Sequence, residues 1–79
     1  MRKLIKEYML RALKNTRPVD MFNVSRIMTA GFCDDEVINE AIDLSKAIMK
    51  GTVKEPYVVQ MLPVLLDYIK EQRPEALED

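Results

Sequence analysis

Nowhere in this 79-residue chain do apolar and polar residues alternate with period two for long enough to make a strand, and the best candidate, Thr52-Val53-Lys54, is too short to matter. Apolar residues recur instead at three- and four-residue spacing, in four stretches separated by proline or glycine. That pattern restricts the chain to an all-α fold, a compact bundle of four helices with short connections. A chain of this length forms one domain and buries only about 60–65% of the surface its unfolded form exposes, so the core is small.

The first helix is expected over Arg2 to Asn15, where Met1, Leu4, Ile5, Tyr8, Met9, Ala12 and Leu13 share one face. Asn15-Thr16-Arg17-Pro18 ends it, and Pro18 suits the first turn of the next helix because its missing N–H has no partner there. The second helix runs to about Ala30, with Met21, Val24, Ile27 and Met28 inward and Gly31 as the left-handed stop. Phe22 and Val19 fall off that stripe and call for a second neighbour. The third helix has the strongest start: Asp34 as N-cap, with Asp35 and Glu36 at the positive end of the helix dipole. Its apolar residues cover more than half the circumference, which marks it as the central helix, and Lys50-Gly51 ends it.

The fourth helix is expected from Glu55-Pro56 to Arg73, kinked at Pro63 and not broken there. The apolar phase of Tyr57, Val58, Met61, Leu62, Val64, Leu65, Tyr68 and Ile69 passes through Pro63 without a shift, and Pro63 itself falls on the polar face. The domain is therefore placed at 1–73, with 74–79 as a flexible acidic tail.

Composition removes most chemistry. There is no histidine and one cysteine, Cys33, which excludes an internal disulfide and the usual Cys/His zinc sites. Cys33 has no histidine to act as its base, and a partly buried packing role fits it best. Helix capping accounts for Asp34-Asp35-Glu36, which lacks the glycine and distal glutamate of a calcium loop. The two glycines, Gly31 and Gly51, stand alone, so no phosphate cradle is present. The expectation is a protein that is not an enzyme and carries no cofactor or metal. The longest uncharged run, 56–66, is too short to cross a bilayer, and Met1-Arg2-Lys3 is not followed by an apolar signal segment. The single thiol fits a reducing compartment, and a cytoplasmic location is expected.

Charge is distributed unevenly. Residues 1–26 hold seven basic and two acidic groups, while 27–79 hold five basic and eleven acidic, for a net charge of −1. Either the two halves attract one another or each faces a different partner. The second and third helices have helix-turn-helix proportions, but the acidic third helix would be repelled by phosphate. The first helix offers more. Arg2, Lys3, Lys6, Lys14 and Arg17 occupy an arc of roughly 140° centred on Leu10.

Three readings of that arc stand: a solvated basic face, a docking face for an acidic protein partner anchored by Leu10, or a phosphate-contacting face. The docking reading makes the chain a small protein-binding regulator, an adaptor or inhibitor; a nucleic-acid-associated role is the alternative. On that reading Leu10→Lys spares the fold and Ile42→Lys unfolds it. The wide apolar stripes of the third and fourth helices also allow a homodimer.

Overall fold

Asp34 opens the third helix by accepting the Glu36 and Val37 backbone N–H groups on its Oδ1, at 2.9 and 3.2 Å. Gly51, at φ +83°, closes that helix with its N–H on the carbonyls of the last turn. These two residues bound α3 (Asp35–Lys50). A computed structural model describes residues 1–78, and among them four helices and no strand are found. Preceding α3 are α1 (Arg2–Asn15) and α2 (Pro18–Thr29). The fourth helix has two limbs, α4 (Pro56–Val59) and α5 (Leu62–Gln72), and is bent by 33°.

The bend lies one turn before Pro63. Proline has no N–H to offer the Val59 carbonyl, and its ring crowds that carbonyl, so the helix opens at Gln60–Met61. Met61 N–H turns to the Val58 carbonyl at 2.9 Å, a tightened step, and Leu65 N–H resumes the regular ladder on Met61 at 2.9 Å. Pro74–Leu77 form a single exposed 3₁₀ turn; Asp79, the last residue of the expected tail, lies outside the described residues.

The connection between α1 and α2 has only two residues. Thr16 takes a left-handed conformation at φ 51°, which costs a non-glycine residue roughly 1–2 kcal/mol. Asn15 steadies the turn by accepting the Arg17 N–H on Oδ1 at 3.0 Å. A second clasp joins the two helices where Tyr8 donates to Asp20 Oδ1 at 2.7 Å and accepts from Asn23 at 3.0 Å. The Asn23 bond, the largest single influence, favours the Tyr8 phenolate, but the bond to Asp20, burial and the Asp20 charge together outweigh it and hold the phenol above its ordinary pKa.

The core sits where α3 meets both α1 and α5, with α2 closing the side against α1, α4 and α5. Met9 and Leu13 of α1, Met21 and Val24 of α2, Ile38 and Ala41 of α3, and Leu65 and Ile69 of α5 are buried within it. Each aliphatic side chain of this size contributes about 1.5–3 kcal/mol when removed from water. The radius of gyration, 11.5 Å, matches the about 11.6 Å of a tight domain of this length. Apolar residues left at the surface are therefore not the result of an expanded chain.

Several side chains depart from the periodicity reading. Met1 and Leu4 belong to the apolar stripe of α1 by spacing, yet they are 91% and 67% exposed, because the first turn of α1 overhangs the bundle. Met49 is likewise exposed at the end of α3. Ile42 and Leu10 are both half-buried against the core, so neither is the fully inward or fully outward residue expected. Cys33 is exposed, not partly buried.

Candidate protein-binding surfaces

The basic arc of α1 is only partly turned to solvent: Arg2, Lys3, Lys14 and Arg17 are exposed, while Lys6 is half-buried. It lies on the flank of the apolar stripe, not opposite it, and that flank is the one α3 covers. Lys6 Nζ is 2.6 Å from Glu36 Oε1 and 3.8 Å from Asp34 Oδ2, and Lys14 Nζ is 3.8 Å from Glu40 Oε1. The bond to Glu36, with Asp34 behind it, raises the Lys6 ammonium above its ordinary pKa. Arg2 donates to the Cys33 carbonyl at 2.6 Å, and its guanidinium stands 4.9 Å from the Phe32 ring centroid. Leu10, expected as the exposed anchor of a docking face, packs on the core between the two lysines. Arg2, Lys3 and Arg17 of the arc are exposed and outside any ion pair among the described residues, and of these Arg2 is held by the Cys33 carbonyl.

The acidic start of α3 is met from its other flank too. Arg73, just past α5, donates to Asn39 Oδ1 at 2.6 Å and to Asp35 Oδ1 at 3.3 Å. The uneven charge along the sequence is thus used inside the molecule, with basic α1 against acidic α3. A phosphate-contacting role for α1 would have to draw on Lys3, Arg11 and Arg17, since Lys6 and Lys14 already face carboxylates.

Beneath this seam lies one unpartnered polar atom. The Tyr68 hydroxyl is buried close to the Cys33–Asp34 backbone without a well-formed hydrogen bond. Burial, then the neighbouring Cys33 and Asp34, push the phenol up to about 12. Among the described residues, no three carboxylate or thiol groups converge as a metal site would require.

The opposite side of the molecule is different. Between α2 and the bend of α4–α5 runs an open groove of about 380 Å³, floored by Met21, Met61 and Val64 and walled by Phe22 and Tyr57. Phe22 is 63% exposed, and Val19, three residues before it on α2, is 72% exposed. The Arg26 guanidinium stands 5.9 Å from the Phe22 ring, and no aromatic or aliphatic neighbour encloses that ring. Val64 also lines a second, smaller recess of about 220 Å³ walled by Thr29, Asp67 and Glu71. The two recesses adjoin at Val64, the first largely apolar and the second with an acidic edge.

Sequence reasoning did not select this groove. The signal was present in Phe22 and Val19, which fall off the α2 stripe and call for a second neighbour; among the described residues both stay largely exposed. The bend at Pro63 supplies the rest, since it brings Tyr57 and Val64 to opposite ends of a concave wall. Compared with known proteins, the chain matches no family model, no curated protein and no solved structure.

Proposed function

We propose that this chain is a non-catalytic protein-binding regulator, an adaptor or inhibitor, whose docking surface is the groove between α2 and α4–α5. The observation that carries the proposal is the exposure of Phe22 and Tyr57 around a concave apolar floor. Aromatic residues bordering a recess are the kind of residue that dominates protein–protein affinity. The charged arc of α1, the other docking surface considered, has Lys6 held against Glu36 and Leu10 packed on the core. A partner segment that fits the groove carries an apolar anchor for its Phe22–Tyr57 end. Steric competition for that partner is the mechanism this geometry favours.

The test is affinity capture from nuclease-treated lysate of cells that express the chain. Wild type and Lys14→Glu are expected to retain the same partner band, and Phe22→Asp to lose it while keeping the wild-type melt. A band that Phe22→Asp retains would overturn the groove as the docking surface. Loss of the wild-type band on nuclease treatment would move the protein to the nucleic-acid reading.

A further inference from the structure

We propose that the same groove is also filled by the outer face of α1 from a second copy of this chain, so that self-association competes with partner binding. The proposal rests on the groove being a docking surface and adds an occupant to it.

The two surfaces match in chemistry and in spacing. On the outer face of α1, Leu4 is 67% exposed and Met1 is 91% exposed, with no apolar neighbour to cover them. Arg11 is exposed on the same face and outside any ion pair among the described residues. Leu4 and Arg11 are seven residues apart, nearly two turns, which places them on one line about 10 Å apart. In the groove, Phe22 and Thr29 are also seven residues apart on α2. The distance from the apolar end to the acidic end is therefore again about 10 Å.

Asp67 and Glu71 are exposed at that acidic end, one helical turn apart, and neither is in an ion pair among the described residues. With Leu4 against Phe22 and Tyr57, Arg11 falls between the two carboxylates. Glu7 lies roughly 50° off the Leu4–Arg11 line, toward the rim of the groove and not its floor. An apolar residue followed by a cation meets an apolar recess followed by two anions, and both are unpartnered in the single chain. The two surfaces differ, so the contact is heterologous: it forms a closed pair if it is reciprocal and an open chain if it is not.

The experiment is sedimentation equilibrium on the full chain from micromolar to millimolar concentration at low salt. The wild type is expected to rise above the 9.2 kDa monomer mass as concentration increases. Arg11→Glu alone, and the double variant Asp67→Lys with Glu71→Lys alone, should each weaken association at least tenfold. Mixed together, the two should associate again, because each then meets a surface of opposite charge. All the substituted positions are exposed, so circular dichroism melts should match the wild type.

A wild type that stays monomeric throughout would overturn the proposal, as would a mixture that fails to recover. Neither result touches the groove as a partner site, which the Phe22→Asp capture decides separately. If Phe22→Asp keeps its partner while the mixture recovers, self-docking stands and the partner reading falls.

Discussion

The two sides of this bundle solve opposite problems. Where α1 meets α3, opposite charges line the seam, the basic groups of one helix lying against the acidic start of the other. Where α2 meets α4 and α5, apolar side chains stand open, because the 33° bend turns the fourth helix away before it can cover Phe22. A charged helical face can be internal structure, and an off-stripe apolar pair can be the part that reaches outward. For a small chain the informative residue is the apolar one left without a neighbour.

The sharpest way to break this contrast is to place the same charge on each side. Ile38→Lys buries an ammonium on α3 where the side chain is 1% exposed and sits in the apolar core. The cost, several kcal/mol, is comparable with the whole stability of about 4–12 kcal/mol expected for 79 residues. Ile38→Lys is expected to show no cooperative thermal transition. Phe22→Lys on the open side should stay within about 0.5 kcal/mol of wild type. If Phe22→Lys also unfolds the protein, the groove belongs to the core and is not a docking surface.

Much of this architecture was legible in the sequence. Asp34 as a cap, Gly31 and Gly51 as left-handed stops, and a fourth helix continuous in phase through Pro63 all follow from local rules, and all four are found. These features depend on neighbours within a turn. The exposure of Leu4 and the burial of Leu10 depend on which flank of α1 the third helix covers, which one helical wheel does not contain. By periodicity Leu4 is inward and Leu10 outward; the position of α3 largely inverts that order. The groove was illegible for the same reason, since it is made by two segments more than 30 residues apart.

Leu10 provides the next test in size. It packs on the core from within the charged seam, so Leu10→Ser should cost about 1–2 kcal/mol in a chemical-denaturation curve. Were α1 turned the other way, with Leu10 as a free anchor, the same change would leave the midpoint where it is.

Tyr68 sharpens the comparison from beneath the seam. Its buried hydroxyl is without a partner, so Tyr68→Phe removes a desolvation cost and should stabilise by about 1 kcal/mol. That corresponds to a rise in melting temperature of about 4–8 °C for a domain of this size. The pH dependence has a definite sign. The folded phenol, at about 12, lies above its ordinary value of 10.0, so the folded state holds the proton more tightly. Stability is full below pH 10 and falls as pH rises toward 12. Tyr68→Phe should flatten that fall, and Lys6 and Tyr8, also raised, account for the slope that remains. An unchanged alkaline slope would mean that the hydroxyl reaches water in solution.

The smallest effect is expected where the structure looks most electrostatic. Lys14 is 67% exposed at the side chain, and its 3.8 Å approach to Glu40 is long for an ion pair. Solvent screens such a pair, and ordering two long side chains offsets what attraction remains, so it contributes little net stability. Lys14→Met should therefore shift the unfolding free energy by less than about 0.5 kcal/mol, and added salt should barely move the wild-type melt. The α1–α3 seam then acts by excluding other arrangements: a helix docked with its basic flank outward would leave Glu36 and Glu40 of α3 without their lysine partners. A loss of more than about 1 kcal/mol on Lys14→Met would show the seam holding the fold by charge as well as selecting its orientation, and the division between a satisfied side and an open side would rest on energy as well as geometry.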